Sequence, residues 1–402
     1  NFTNGVMTHI KTLRDGLQEQ GHEVLIVTAD KNCKRHYVKD GILHCPALEI
    51  KRFCGVEAAA PYSYTRFKLL EDFNPDIIHI HHEFGIGLSG VMAAKLYKKP
   101  LVYTLHTAYD QYIYYVAPKI FQKAAATTSH QYMKIIANAA NALTGPSDKC
   151  GEYFKQIGVK NKDVHLIPNS ADLELFDYQK FSDAEKSKLR KKLKINSDEM
   201  VVIFAGRIAQ EKSIDVLLEY FAEFFTPADK IRLSIVGDGP EKKKLEKLTN
   251  TLKIEEMITF TGLVKHNEMP IYYSLSDVFA TASLSEMNSI SMLEAMASGL
   301  MVLQRYDRVN AKQIQSGING HLFKTGKEAA KHLKQIKKMS KTELKNTKKR
   351  VRATVTDRGP GDLAVYMLGV YEEAIVKSKA DRDKWHDFFK FGKEDVCKKD
   401  EQ

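Results

Sequence analysis

Long apolar runs are missing from this sequence of 402 residues. A helix that spans a bilayer needs about 18 or more consecutive, mostly apolar residues, and no stretch approaches that length, so we predict no membrane-spanning helix. Cysteine is also scarce, because only five are scattered along the chain and none forms a C-x-x-C pair. This odd number argues against a disulfide framework and a structural zinc site, and it indicates a reducing cytoplasm.

Glycine and proline are too few for a fibrous or linker-like protein, with 23 and 11 residues respectively. The hydrophobic fraction of 43% is ordinary for a globular protein, and a chain of this length is expected to form two or three domains.

The net charge of +11 is concentrated in one segment, residues 331–352, where ten lysines and arginines face a single acid, Glu343. Such a run is either a solvated helical face or a surface that attracts anionic lipid or nucleic acid. No aromatic residue is interleaved, so base stacking is unsupported and we predict no nucleic-acid partner.

Short apolar runs alternate with helical patterns along most of the chain, which predicts parallel sheets covered on both faces. The first series of strands is expected at residues 23–28, 76–81, 101–106, 142–144 and 164–167. After a polar stretch that ends near residue 197, a second series is expected at residues 200–205, 232–236, 258–260, 278–280 and 301–303. We therefore predict an α/β protein with two doubly wound, Rossmann-like domains facing a central cleft, where a ligand binds at the strand ends.

The predicted domains are residues 1–172, residues 173–368, and closing helices at residues 369–402 that pack back on the first domain. The apolar spacing of Val6, Ile10, Leu13 and Leu17 predicts a helix that ends before Gly21. An α/β domain normally begins with a strand that leads into such a first glycine turn. Because none precedes Gly5, we expect that the first strand is missing from this sequence.

Two cations follow the predicted strand at residues 200–205. Gly206 and Arg207 stand at its end, and Lys212 comes five residues later. Arginine binds a diphosphate as a planar fork and lysine as a point charge, so this junction suits a diphosphate. Taken alone, the pattern is equally typical of solvated loop residues.

Two glutamates flank the start of another predicted helix, which begins near Ser289. Glu286 lies in the loop before the helix, and Glu294 lies on its body, away from the expected core stripe. The backbone amides of Asn288, Ser289 and Ile290 would form an anion site at the helix N-terminus. This element therefore offers two carboxylates for sugar hydroxyls and a phosphate site between them.

Histidines cluster near the ends of two strands in the first half, at His79, His81, His82 and His106. They are more typical of hydrogen-bonded core residues than of metal ligands. His106 differs because it ends a buried strand and precedes a polar, aromatic loop at residues 107–112. In the second half, Gly237-Asp-Gly-Pro-Glu241 lacks the third glycine of a dinucleotide motif, which indicates a tight turn.

These motifs together resemble the signature of retaining family-4 glycosyltransferases of the GT-B fold. The resemblance covers almost the whole chain in the right order, through Asn4-Gly5-Val6, Gly21-His22-Glu23-Val24, Pro75-Asp76-Ile77, His106-Thr107, Gly145-Pro-Ser147, Pro168-Asn169, Gly206-Arg207, Glu211-Lys212, Glu286, Glu294 and Gly317-Ile-Asn-Gly320. The loop after His106 is similar to that of bacterial enzymes that glycosylate diacylglycerol or glycosyl-diacylglycerol.

The resemblance implies a role for each candidate residue. Arg207 and Lys212 would meet the diphosphate of a nucleotide sugar, Glu286 its hexose, and Glu294 its ribose hydroxyls. His106 would face the donor sugar near the transfer site. The catalytic candidates are His106, Glu286, Arg207 and Lys212, and the donor-binding candidates are Gly5, Gly206, Arg207, Lys212, Asn288, Ser289, Ile290 and Glu294. The family implies no metal and no cofactor, with a UDP-sugar as the donor substrate.

We therefore expect a hexosyltransferase that acts with retention on a membrane glycerolipid or glycolipid, docked on the inner face of the cell membrane. The alternatives are the same donor chemistry on a soluble or polymer-precursor acceptor, or a nucleotide-binding module without catalysis. A mixed aromatic and cationic stretch at residues 114–123 is typical of an interfacial segment, although core packing explains its apolar residues equally well. The basic run at residues 331–352 could add attraction to an anionic membrane surface.

Overall fold

Residues 5–50, 56–106, 119–159, 163–284 and 286–397 are described by a computed structural model of the chain. The backbone divides into two units. The first unit comprises residues 17–167 and 364–402, and the second unit comprises residues 1–16 and 168–363. The sequence predicts residues 1–16 in the first domain, whereas the structure groups them with the second unit. The reason is local: His9 bonds to Asn169 and Gly5 packs on Ile290, both in the second unit.

The first unit has two sheets. One has the strand order β1-β3-β2, with β4 paired antiparallel to β3, and the other is the parallel sheet β5-β6-β7-β8. The chain begins with helix α1 (Gly5–Glu19), most of which belongs to the second unit. The elements of the first unit that follow it are β1 (Ile26–Asp30), β2 (Tyr37–Lys39), β3 (Ile42–Ile50), β4 (Val56–Ala59), α2 (Tyr64–Phe73), β5 (Ile78–Ile80), α3 (Ile86–Leu96), β6 (Leu101–Thr104), α4 (Gln122–Ala139), β7 (Ala142–Gly145), α5 (Asp148–Gln156) and β8 (Val164–Leu166).

Strands β1 and β5 each lie at the end of their sheet, and helix α3 contacts both of them. The burial of each strand depends on whether it lies at the edge or in the middle of its sheet. Strands β6 and β7 are buried along their whole length, as the central strands of a covered parallel sheet should be. Every residue of β1, in contrast, is only half-buried.

The second unit contains one six-stranded parallel sheet with the order β11-β10-β9-β12-β13-β14. Strands β9, β10 and β12 are buried throughout. The apolar run of β9 is continuous, whereas β10 also buries Arg232 and Ser234. Its elements are α6 (Asp183–Lys192), β9 (Met200–Ala205), α7 (Ile214–Phe224), β10 (Ile231–Val236), α8 (Lys242–Thr251), β11 (Ile258–Gly262), α9 (Met269–Ser274), β12 (Val278–Thr281), α10 (Ile290–Ala297), β13 (Met301–Arg305), β14 (Gly320–Phe323), α11 (Gly326–Lys337) and α12 (Lys341–Ala353).

Capping residues explain where several of these helices begin. Ser182, Thr325 and Ser340 each accept a hydrogen bond from the amide three residues on, and the glutamate at that position bonds back to the cap.

A last helix, α13 (Pro360–Cys397), closes the chain, with residues 364 onward in the first unit. The sequence predicts one or two helices here, and the structure has a single one. Tyr371 on α13 is buried, and its hydroxyl shares a hydrogen bond with His79 Nδ1 at 2.8 Å. Among the helices that the structure describes, none is long and apolar enough to cross a membrane.

Candidate functional site in the second unit

Neighbouring strands β9 and β12 direct their carboxyl ends to the same edge of the sheet. Gly206 follows β9 at φ +154°, a conformation that side chains rarely adopt, and its amide donates a hydrogen bond to Val236 O. A Cβ at Gly237 would lie 1.9 Å from the Gly206 carbonyl oxygen, so these two turns must pack backbone against backbone. Arg207, the residue after Gly206, is exposed.

Lys212 and Glu286 meet at this edge. Lys212 ends a short 3₁₀ helix after β9, and Glu286 lies in the loop after β12. The Lys212 ammonium donates a hydrogen bond to Glu286 Oε1, and the two side chains are only 21% and 17% exposed. Ser283 links the same loops, because its hydroxyl donates to the carbonyl of Glu211 at 3.2 Å. The structure thus brings together two candidates that are 74 residues apart in sequence.

The N-termini of two helices lie close to each other, and one of them, that of α10, begins four residues after Glu286. Ser289 caps α10, and its hydroxyl accepts a hydrogen bond from the Met292 amide at 3.3 Å. The backbone amides just before Met292 belong to the first turn of the helix, where N–H groups have no acceptor within the helix. Gly5, the first residue of α1, packs on Ile290, because a Cβ there would lie 3.5 Å from Ile290 Cδ1. The positive dipole ends of two helices are therefore close together, which favours an anion there.

Glu294 is buried within α10 and is only 6% exposed, although the sequence predicts it on a face away from the core. Two donors explain why the carboxylate tolerates burial. His266 Nε2 donates to Glu294 Oε1 at 2.8 Å, and the Tyr273 hydroxyl donates to Oε2 at 3.2 Å. The pairing raises the pKa of His266 through its hydrogen bond to Glu294, while partial burial opposes this shift.

A buried chain of hydrogen bonds joins α1 to the start of α10. His9 Nδ1 donates to Asn169 Oδ1 at 3.0 Å, and Asn169 Nδ2 donates to the carbonyl of Asn288 at 2.7 Å. Burial lowers the pKa of His9 to about 4, so the ring is neutral near pH 7. This chain fixes Asn288, whose amide is a donor-binding candidate, against the helix that carries Gly5.

His106 lies in the first unit, two residues after β6. Its Nε2 shares a hydrogen bond with His81 Nδ1 at 3.0 Å, and the rings of His81 and His79 are 3.9 Å apart. His79 in turn contacts the Thr104 hydroxyl at 2.6 Å. The histidines on these strands are therefore hydrogen-bonded to one another and to polar neighbours. The polar loop predicted at residues 107–112 lies outside the described residues.

Comparison with known proteins identifies the family. The sequence model of the family "Glycosyltransferase Family 4" matches residues 3–175. The sequence model of the family "Glycosyl transferases group 1" matches residues 185–354. The chain is 34% identical over 343 residues to the α-monoglucosyldiacylglycerol synthase of Acholeplasma laidlawii, an alignment that covers 83% of this chain and 85% of the relative. The chain belongs to the family 4, group 1 glycosyltransferases.

Solved structures place this glycosyltransferase in the GT-B fold, as its sequence predicts. Sucrose-phosphate synthase from Thermosynechococcus elongatus matches with a TM-score of 0.69 at 20% identity, covering 93% of this chain and 94% of that one. Anabaena HepE in complex with UDP matches with a TM-score of 0.60 at 21% identity, covering 77% of this chain and 80% of that one.

The sequence analysis assigns no role to His9, Asn169, His266 or Tyr273, which the structure joins by hydrogen bonds to Glu294 or to the carbonyl of Asn288 and to one another. His9 carried a local signal, because it is three residues after Val6 and four before Leu13, on the apolar stripe of α1. A polar ring on such a stripe needs a buried partner. His266 and Tyr273 carried none, since only the packing of α9 and its preceding turn against α10 brings them to Glu294.

Proposed function

We propose that this glycosyltransferase moves a hexose from a UDP-sugar to a membrane glycerolipid or glycolipid, with retention and without a metal ion. The observation that carries the donor side is the meeting of Lys212, Glu286 and the N-terminus of α10 at one sheet edge. The name of the Acholeplasma laidlawii relative supports a lipid acceptor, and the UDP complex of Anabaena HepE supports the nucleotide.

Each part of the donor would have its own partner in the second unit. Arg207 and Lys212 would neutralise the diphosphate, and the amides at the start of α10 would add hydrogen bonds to its oxygens. Glu294 would accept hydrogen bonds from the ribose hydroxyls, and Glu286 would accept them from the hexose. These groups supply the positive charge that a departing UDP requires, so we propose that transfer proceeds without metal.

Retention is proposed to follow a front-face displacement. The acceptor oxygen would attack on the side that the UDP leaves, and the leaving phosphate would take the acceptor proton. Arg207 and Lys212 would stabilise the charge that develops on the phosphate. The role of His106 toward the donor sugar stays a prediction from the family resemblance.

Two surfaces support docking on an anionic membrane at the inner face of the cell. Ile120 and Phe121, just before α4, are 82% and 59% exposed, so core packing does not account for these two residues of the 114–123 stretch. Residues 107–118 lie outside the described part of the chain. An exposed aliphatic and aromatic pair next to the exposed Lys123 is the composition of an interfacial segment.

The second surface lies on α12, where Lys341, Lys345 and Lys349 are exposed at intervals of four residues and so share one helix face. Other cations of the basic run are used internally. Lys348 donates to the carbonyl of Ser276, and Arg352 donates to the carbonyls of Ala297 and Leu173. Only part of the run is therefore available for lipid.

A donor and acceptor screen tests the function. The purified chain would be incubated with UDP-hexoses and either diacylglycerol in anionic liposomes or soluble sugar acceptors, and released UDP would be measured. We expect UDP release with the lipid acceptor and an α-linked product from an α-linked donor, assigned by NMR. Release with soluble acceptors alone would favour the soluble-acceptor alternative. A β-linked product would refute retention, and no release with any acceptor would indicate a nucleotide-binding module.

A further inference from the structure

The carboxylate of Glu294 is held at both oxygens by side chains from one neighbouring segment. His266, in the turn before α9, binds Oε1, and Tyr273, within α9, binds Oε2. Tyr273 is fully buried, and its hydroxyl also lies 3.3 Å from the carbonyl of Ser291. A carboxylate oxygen has two lone pairs, so each oxygen can accept a second hydrogen bond after these donors are in place.

Charged groups from three other segments surround His266. Glu294 on α10 is its direct partner, Asp172 lies near enough to favour the charged ring, and Lys11 on α1 disfavours it. The Phe176 ring packs near the imidazole at an interplanar angle of 66°, with centroids 5.5 Å apart. The acidic neighbours prevail, and they raise the pKa of His266 above its usual value.

We propose that His266 and Tyr273 are positioning residues that set the Glu294 carboxylate for the ribose hydroxyls, and that protonated His266 makes this recognition sensitive to pH. The inference rests on the proposed function, in which Glu294 binds the ribose. A hydrogen bond from a protonated imidazole holds a buried carboxylate more firmly than a hydrogen bond from a neutral imidazole does. When His266 loses its proton at alkaline pH, Oε1 is held less firmly and ribose recognition weakens.

The test compares two probes, UDP and 2′-deoxy-UDP, which differ in one ribose hydroxyl. Their affinities for the full chain would be measured by calorimetry between about pH 6 and about pH 9. The ratio of the two affinities cancels the titration of the phosphates, which both probes share. In the native protein we expect UDP to bind about tenfold tighter than 2′-deoxy-UDP at the acidic end, and less than that at the alkaline end.

The variant His266→Gln keeps a neutral donor and cannot titrate in this range. We expect its affinity ratio to be low and independent of pH. Tyr273→Phe keeps the buried ring and should lower the ratio at every pH while leaving the pH dependence in place. Tyr272→Phe, one residue away on the same helix, is the matched control and should behave like the native protein.

A pH-dependent ratio in His266→Gln that equals the native one would overturn the proposal, and so would a native ratio that does not change with pH. A native protein that binds neither probe would instead contradict the proposed donor site itself. Melting temperatures of the variants would identify any loss of folding, and in that case the native pH profile alone decides.

Discussion

The Lys212 ammonium is hydrogen-bonded to the Glu286 carboxylate, so the group proposed to hold the diphosphate is paired with the group proposed to hold the hexose. Both side chains are largely shielded from water, so the Coulomb attraction between them is screened less than in a surface ion pair. A diphosphate must therefore compete with Glu286 for Lys212. This competition leads to different predictions for the two residues.

Replacing either cation should weaken UDP binding. Lys212→Ala and Arg207→Ala each remove a charge-assisted contact, worth about 1.5–3 kcal/mol, so we expect the Kd of UDP to rise by roughly 10- to 150-fold in calorimetry. Lys243→Ala, at an exposed position on α8, is the matched control and should leave the Kd unchanged. Native affinity for UDP in both site variants would contradict the assignment of the diphosphate site.

The two glutamates should separate by probe. Glu286→Gln releases Lys212 from its carboxylate partner, so UDP should bind at least as tightly as to the native protein while sugar transfer slows. Glu294→Gln should weaken UDP itself, because the proposed ribose acceptor loses its charge. Titration of both variants with UDP, together with turnover assays, measures the two effects. Equal losses of UDP affinity in both would refute this division of roles.

His9 should make the fold sensitive to acid. Burial lowers the pKa of His9 to about 4 in the folded chain, whereas its pKa in the unfolded chain is near 6.5. Between these two pH values the unfolded chain binds a proton at His9 and the folded chain does not. The free energy of unfolding is therefore unaffected by His9 above about pH 6.5 and decreases as the pH falls toward 4. The expected decrease is about 2 kcal/mol at pH 5. Urea unfolding at neutral pH and at pH 5 measures this loss of stability.

The control experiment for His9 uses two variants. His9→Gln retains a donor for Asn169 without a titrating group, so its stability should fall less between neutral pH and pH 5 than that of the native chain. His22→Gln changes an exposed histidine and should retain the native pH dependence. If His9→Gln keeps the full acid sensitivity, the buried imidazole is not its source.

The parts of the fold that were predictable from sequence have a single physical origin. Strand β9 (Met200–Ala205) is buried on both faces, so its apolar run is continuous and easy to recognise. The sequence patterns do not predict strands β2, β3 and β4. Strands β2 and β4 pair antiparallel with β3, and β3 includes an exposed residue, Leu48, and a proline, Pro46. Short β14 has no comparable run.

The candidate site divides in the same way. Lys212, Glu286 and the start of α10 were predictable, because the ends of parallel strands meet at one edge of a sheet. The partners of Glu294 were not, since His266 lies 28 residues away and no local periodicity connects them. The bond between His9 and Asn169 spans 160 residues and depends on where α1 packs. Burial of Glu294 was missed for this reason: its compensating donors come from another element.

Membrane docking should separate into two parts with different salt dependence. Attraction through Lys341, Lys345 and Lys349 contributes about 1 kcal/mol per cation near an anionic surface, and it fades as added salt shortens the Debye length. Burial of Ile120 and Phe121 is a hydrophobic effect that salt does not screen. Sedimentation with anionic and neutral liposomes at low and high salt measures both parts.

Two sets of variants assign these parts to the two surfaces. Replacing the three α12 lysines by glutamine should abolish most of the salt-sensitive binding to anionic liposomes. Replacing Lys188, Lys191 and Lys192, exposed on α6, removes the same charge and should have a much smaller effect. The double variant Ile120→Ser and Phe121→Ser should lose the salt-resistant part, whereas Leu48→Ser, at a position 79% exposed in the same unit, should not. Equal effects of the two lysine sets would mean that net charge alone attracts the protein, without a docking face on α12.

If the native protein stays in solution with anionic liposomes at low salt, the lipid acceptor loses its support and a soluble acceptor becomes the better hypothesis.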